Sequence, residues 1–341
     1  MTGRPLVIVG NPDEVHVGRH LLRAAGEAGV EASLCDTNRA YAGAKLRRAF
    51  NWRLRGRRPA NLDAFSAEVV AACQRQQPGV LLSTGLAPLT DDALRQIGQL
   101  GIRRVNFLTD DPWNDAHYAP WFMDAVTRYD AVFTPRTANV SDLRRAGCRR
   151  VSYLPFAYAP DIHFSDPPGT ESERLQFESD LVFAGGADRD RIAWMAPLIA
   201  AGFRVALYGG YWDRHAETRA SARGMATAAT LRKAIGGGAI AICLVRQANR
   251  DGHSMRSFEV PAIGACMLVE DTAEHRQIFG APRCAVEYVS SPTAVVERVG
   301  ALLRDRREQQ RLKHSAHSLI TSGRHTWADR LKAMLEEAEA W

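Results

Sequence analysis

Two doubly wound α/β domains, each a parallel sheet covered by helices on both faces, form the architecture this sequence predicts. Three observations carry that prediction. The 341 residues are about twice a typical domain. Short apolar runs recur along the chain, each followed by a stretch of helical periodicity, and strands buried on both faces read as such continuous runs. The alternation is interrupted once, at Ala159-Pro-Asp-Ile-His-Phe-Ser-Asp-Pro-Pro-Gly-Thr-Glu-Ser-Glu173, whose prolines and small polar residues mark a surface crossing between domains. The expected organisation is a Rossmann-like domain over 1–160, a second over 175–325, and a separate helix over 326–341.

In the first half, Leu6–Val9 is a short apolar strand and Val17–Ala28 a helix closed near Gly29. An apparent strand at Glu31–Leu34 and a basic segment come next, then a helix from Asn61, a suitable N-cap, to Arg75. Val80–Ser83, Arg104–Leu108, Ala131–Thr134 and Val151–Leu154 are further strands, separated by helices near 90–99, 117–126 and 138–146. In the second half the strands are Leu181–Ala184, Arg204–Leu207, Ala239–Val245, Cys266–Val269 and Val286–Val289. Helices are expected near 190–201, 228–235, 256–263, 272–279 and 292–314, with a last one over Trp327–Glu337. Ligands of doubly wound sheets sit at the carboxyl ends of the strands, so the loops after each strand hold the candidate residues.

Composition narrows the class. Hydrophobic residues make up 46% and charged residues 24%, ordinary for a globular protein. No apolar run approaches the roughly 20 residues that span a bilayer, and the start lacks the pattern of a secretory signal. Cys35, Cys73, Cys148, Cys243, Cys266 and Cys284 are scattered, which argues against a disulfide framework or a structural zinc site and fits a reducing cytoplasm. The net charge is +6, and Lys45-Leu-Arg-Arg-Ala-Phe-Asn-Trp-Arg-Leu-Arg-Gly-Arg-Arg58 alone carries seven basic residues and no acid. Helical spacing sets Leu46, Phe50 and Leu54 on one stripe of this segment. The simpler expectation is a solvated basic helix docked on its domain by those three residues. The alternative is peripheral contact with the inner face of an anionic membrane, or a grip on an acidic acceptor.

The most informative stretch is Asp251-Gly-His-Ser-Met-Arg-Ser-Phe-Glu259, which runs on into Val-Pro-Ala-Ile-Gly264. It comes after the buried run Ala239–Val245 and opens a helix, so free backbone N–H groups and the helix dipole are offered to an anion such as a diphosphate. Asp251 and Glu259, eight positions apart, are placed to accept hydrogen bonds from hydroxyls on either side of it. Without that context the pair reads as a loop acid and a helix-capping acid. Ser254 and the Gly252, His253, Ser254 and Met255 backbone form the expected phosphate cradle, and Arg250 or Arg256 is set to neutralise a departing diphosphate or to pair with the acids.

This segment resembles the donor-binding motif of GT-B glycosyltransferases, with Asp251 standing where the first of two glutamates is usual. The resemblance narrows to the spore-maturation-protein-B-like (CgeB-like) glycosyltransferases. Phe107–Trp113, Tyr129–Thr134, Leu154–Ala157, Asp180–Gly185 and Leu207–Trp212 carry it in collinear order. It implies two Rossmann-like doubly wound domains facing a central cleft, a final helix packed back toward the first domain, and transfer of a sugar from a nucleotide-diphosphate donor to an unidentified acceptor. It also implies retention of anomeric configuration and no metal or other cofactor, the donor being a co-substrate.

The remaining candidates lie in loops after strands. Gly186 lets a backbone approach a ligand closely, and the resemblance assigns the diphosphate contact to Arg191, or to Arg189. Tyr208, Tyr211 and Trp212 wall the base or pack the strand end, and Met225 occupies the region where the resembled enzymes hold the base. Glu259 is also the expected ribose contact. In the first domain Asp110 or Asp111 is placed to act as base toward an acceptor hydroxyl, or else to cap the turn before Pro112, and His16 to approach the sugar. The rivals are a nucleotide-sugar epimerase and a non-catalytic sugar-binding protein on the same scaffold. A dinucleotide oxidoreductase lacks its glycine fingerprint here.

Overall fold

The computed structural model describes residues 4–340, so residues 1–3 and 341, at the outer limits expected for the domains, lie outside the described residues. The chain forms two compact units. The first comprises Met1–Pro155, Ala248–Arg250 and Trp327–Trp341, and the second Phe156–Gln247 and Asp251–Thr326.

The first unit is built on strands β1 (Leu6–Gly10), β2 (Ala32–Asp36), β3 (Val80–Thr84), β4 (Arg103–Phe107), β5 (Ala131–Thr134) and β6 (Val151–Tyr153). All pair in parallel, in the order β2-β1-β3-β4-β5-β6. Every residue of β1 is buried, as a strand covered on both faces requires. One face is closed by the helix Val17–Glu27, against which Trp327–Glu339 packs. Trp327 is 2% exposed and stacks on His20 with ring centroids 5.6 Å apart.

The second unit has β7 (Ser179–Ala184), β8 (Val205–Tyr208), β9 (Ala222–Gly224), β10 (Gly238–Cys243), β11 (Met267–Glu270) and β12 (Glu287–Val289). Its order is β12-β11-β10-β7-β8-β9, again parallel throughout. The two α/β sheets are thus doubly wound as expected, each with a point where strand order reverses: β1/β3 in the first and β7/β10 in the second.

Three local expectations are corrected. The helix foreseen over 292–314 is two, Pro292–Arg304 and Arg306–Ser322, because the Asp305 side chain accepts the Glu308 N–H and starts a new N-terminus. Inside the stretch read as a linker, Thr170 and Glu173 form a capping box that starts a helix over Glu171–Phe177. The basic helix, Lys45–Leu54, is not docked by its apolar stripe: Leu46, Phe50 and Leu54 are 86%, 54% and 73% exposed. Only Asn51 is buried, and the segment is fastened through arginines, Arg47 donating to Ala60 O and Arg57 to Tyr118 O and Asp115 O.

Candidate active site

In the second unit the strand-order reversal sets the loops after β7 and β10 beside one another, where such sheets hold ligands. Arg256 ties the two together, its Nε donating to Ala184 O, the last residue of β7, at 3.3 Å. The loop after β7 is shaped by close packing. Trp212 Nε1 donates to Gly185 O at 2.8 Å, and Gly209, at φ +135°, approaches so near that a Cβ there would lie 2.3 Å from the same oxygen. Only glycine fits such a position.

Asp188 then caps the helix Arg189–Ala200 by accepting the Arg191 N–H at 2.9 Å, which turns the Arg191 side chain inward. Arg191 is 8% exposed, donates from Nη1 to Gly186 O at 3.1 Å and lies over the Phe183 ring. Its buried Nε has no hydrogen-bond partner among the described residues, Asp188 Oδ2 lying 3.6 Å away. Arg246 stands 3.6 Å from that same oxygen. Burial, and next the Arg246 charge, push the Arg191 guanidinium below its ordinary value, with Asp188 and Asp251 opposing. The Arg191 Nε is thus a charged donor left open to an anion. Arg189, the other candidate, is exposed.

The Asp251 turn is held from below. Asp251 N donates to Arg246 O at 3.3 Å, and Thr272 Oγ1 donates to Gly252 O. Ser254 N donates to Ser257 Oγ at 3.1 Å, Ser257 Oγ to His275 Nε2 at 2.9 Å, and His275 Nδ1 to Glu270 O at 2.7 Å. The Met255 and Arg256 amides, at the start of the eight-residue helix Arg256–Ile263, make no backbone hydrogen bond among the described residues. They are the helix's open anion-binding donors.

Glu259 is 1% exposed. One carboxylate oxygen pairs with Arg256, three residues earlier, and the other lies 3.5 Å from His163 Nε2. His163 accepts Ala159 N–H at Nδ1, 3.0 Å away, which directs its Nε2 proton toward Glu259. Burial holds His163 below the ordinary imidazole value, Glu259 opposing, so the ring is neutral near pH 7. Sequence reading missed His163 because it sits in the proline-rich stretch taken as a linker.

Several expected contacts are corrected. His253 is 1% exposed, accepts Phe156 N–H at Nε2 (3.2 Å) and donates from Nδ1 to Glu274 (2.8 Å), so its ring braces the turn and only its backbone, the part expected in the cradle, is left for phosphate. The Ser254 amide is likewise spent on Ser257. Tyr208 and Trp212, at 5% and 0% exposed, are core side chains and offer no face to a base. Tyr211 and Met225, at 56% and 80%, do project. Arg250 belongs to the first unit, where it clasps Asp111; neither can serve as phosphate contact or as acceptor base while so paired.

In the first unit the reversal between β1 and β3 opens a cavity of about 260 Å³ lined by Asn11, His16, Thr37, Tyr41, Thr84 and Asp110, among others. His16 and Asp110 are thus brought to one cavity, and Asp111 is not. Gly10 and Gly18 make room for it: a Cβ on either would come within 2.9 Å of the facing backbone. Thr109 Oγ1 donates to Asp110 at 3.2 Å, and burial together with Asp110 pushes the Tyr41 hydroxyl up to about 12. Hydroxyls, an amide, an imidazole and one carboxylate face this space, and no lysine or arginine lines it. A larger cavity of the second unit, about 570 Å³, lies at the amino-terminal edge of its sheet, beside Ser179 and Gly238, away from these groups.

Comparison with known proteins bears on the fold. Residues 190–336 match a family described as "Glycosyl transferase-like". A sucrose-phosphate synthase from Thermosynechococcus elongatus superposes with a TM-score of 0.68 at 11% identity, covering 99% of each chain. The fold is GT-B. A trehalose-phosphate synthase (UDP-forming) from Burkholderia vietnamiensis shares this GT-B fold at a TM-score of 0.63 and 13% identity, covering 100% of each chain. A Listeria monocytogenes protein provisionally described as a UDP-N-acetylglucosamine 2-epimerase is similar at 0.58 and 12%, covering 98% of this chain and 96% of its own. No curated protein matches the sequence.

Proposed function

We propose that the chain is a glycosyltransferase that moves a sugar from a nucleotide-diphosphate donor to a hydroxyl acceptor. The observation that carries the reading is the buried Arg191, its Nε unpartnered, at the same strand-order reversal as the open amides of Met255 and Arg256. The match of residues 190–336 to a glycosyl transferase-like family supports it, because that stretch contains Arg191 and the Asp251–Arg256 turn.

In this reading Arg191, Gly186 and the Met255 and Arg256 amides of the Asp251 turn hold the diphosphate, and their donors stabilise the negative charge that builds on it as the glycosidic bond breaks. Glu259 accepts the ribose hydroxyls once Arg256 moves from it to the phosphate, and Asp251 faces the sugar. Tyr211 and Met225 flank the base. Asp110, with His16 beside it, takes the acceptor hydroxyl proton in the first unit's cavity. We assign the reaction to the retaining, metal-independent class, without a resident cofactor, and the chain to the CgeB-like group. Its acceptor is a protein, saccharide, lipid-linked or small molecule with a free hydroxyl.

The test is thermal stability against UDP, GDP, dTDP and CDP, then their sugars, with and without magnesium, and with NAD and NADP as controls. A ligand at about 100 times its dissociation constant adds roughly 2.7 kcal/mol, a readable rise in midpoint. One nucleotide should stand out irrespective of magnesium, and Glu259→Gln should lose that response and turnover while melting normally without ligand. No response to any nucleotide, or full turnover in Glu259→Gln, overturns the assignment. Epimerised donor in the absence of acceptor would replace transfer with epimerisation.

A further inference from the structure

The basic helix Lys45–Leu54 and its continuation to Arg58 are unused by the proposed chemistry. The whole chain carries +6, and this segment contributes seven cations without an acid. The other 327 residues hold 37 basic and 38 acidic groups, a net charge of −1. The protein's entire positive excess therefore sits in 14 residues of one surface element.

Those cations divide into two sets. Arg47 and Arg57 are spent on backbone carbonyls, and Arg58 pairs with Asp63 at 2.7 Å. They fasten the segment to its unit. Lys45, Arg48, Arg53 and Arg55 are exposed and make no hydrogen bond or ion pair among the described residues. Interleaved with them are Leu46, Phe50, Trp52 and Leu54, at 86%, 54%, 54% and 73% exposed. At 100° per residue, Leu46, Phe50 and Leu54 fall within an arc of about 80°, and Asn51, the one buried residue of the helix, lies outside it, about 60° beyond Leu54.

We propose that this helix docks the protein on an anionic lipid bilayer, lying in the interface with Leu46, Phe50 and Leu54 inserted and the four unpaired cations among the headgroups. A soluble acidic partner would account for the cations and leave Leu46, Phe50 and Leu54 in water. A bilayer satisfies both, since an interfacial helix combines a shallow apolar face with basic flanks. The fastening by Arg47 and Arg57 means that the helix is held in place before it meets the surface.

Flotation of the full chain with vesicles tests this. Vesicles of phosphatidylcholine alone are compared with vesicles containing about 30% phosphatidylglycerol. Binding should require the anionic lipid and weaken with salt. Arg48→Gln with Arg53→Gln should reduce it roughly 25-fold, at about fivefold per cation near a charged surface. Leu46→Ser with Leu54→Ser should reduce it at least tenfold while unchanged far-UV circular dichroism and melting midpoint show an intact fold. Failure to float with anionic vesicles, or floating that ignores the leucine substitutions, overturns the proposal. Tight binding to soluble polyglutamate or RNA, insensitive to the leucines, would overturn it in favour of an acidic macromolecule.

Discussion

Arg250 holds Asp111 by both carboxylate oxygens, with Nε 2.5 Å from Oδ2 and Nη2 2.8 Å from Oδ1. The same guanidinium reaches Asp142 at 2.6 Å and Asn139 at 3.1 Å. Arg250 and Asp111 are both candidates for chemistry on sequence grounds, and each removes the other from it. Arg250→Ala should therefore act on stability. It strands a carboxylate whose side chain is 1% exposed, at a cost of roughly 2–3 kcal/mol once the 40% exposure of Arg250 is discounted. Urea unfolding reads the loss, and nucleotide titration should show affinity within about twofold of the parent. Normal stability with a large loss of affinity would return Arg250 to the phosphate site.

Arg191 should behave oppositely. A charged hydrogen bond contributes roughly 1.5–3 kcal/mol, so Arg191→Ala should weaken a nucleoside diphosphate about 10- to 100-fold by calorimetric titration. Arg191→Lys should fall between, because an ammonium cannot reproduce the fork. Affinity for the nucleoside without phosphates should not change. If nucleoside and diphosphate weaken equally, Arg191 supports the loop and does not touch the anion.

The aromatics of the Leu207–Trp212 stretch split by role. Trp212→Phe removes the bond to Gly185 O and should cost about 1–2 kcal/mol of stability with nucleotide affinity intact. Tyr211→Ala, at an exposed site, should leave the melting midpoint within about a degree yet lower nucleotide affinity several-fold through lost stacking. A stable Tyr211→Ala protein with parent affinity would remove that ring from the base site.

Burial pushes His275 down to about 4, against an unfolded value near 6.5. The unfolded chain thus binds the proton first. The neutral ring's contribution is complete above about pH 6.5 and is lost as pH falls toward 4, by up to about 1.4 kcal/mol per unit. His163, also lowered by burial, adds in the same direction. Urea midpoints at pH 8 and pH 5 should therefore differ more for the parent than for His275→Gln. Equal differences would show that His275 is not a titrating group of the fold.

The strands were legible because a strand covered on both faces must be continuously apolar, and β1, β5, β7 and β10 carry that signature in four to six residues each. The Asp251–Glu259 turn was legible for a related reason, since the loop leaving a buried strand faces the ligand edge. Pairings between distant residues were not. Asp111 and Arg250 are 139 positions apart, and nothing local marks either as the other's counter-ion. The bracing role of the His253 ring was equally hidden, since Phe156 and Glu274, which take both its nitrogens, are 97 and 21 positions away. The break at Asp305 lacks glycine and proline and rests on one side-chain cap. The exposure of Leu46 and Leu54 was hidden because helical spacing yields an apolar stripe without saying which way it faces.

The packing of Trp327–Glu339 on Val17–Glu27 has a consequence for how the molecule comes into being. The two helices are separated by about 300 residues, and β2 through β12 lie between them in the chain. During synthesis, β7 through β12 emerge before Trp327 does, so the second unit can close its sheet on the ribosome while the first still lacks the helix that covers His20 and Phe107. The half that is made first is completed last. Its His20 and Phe107 rings stay uncovered until Trp327 arrives.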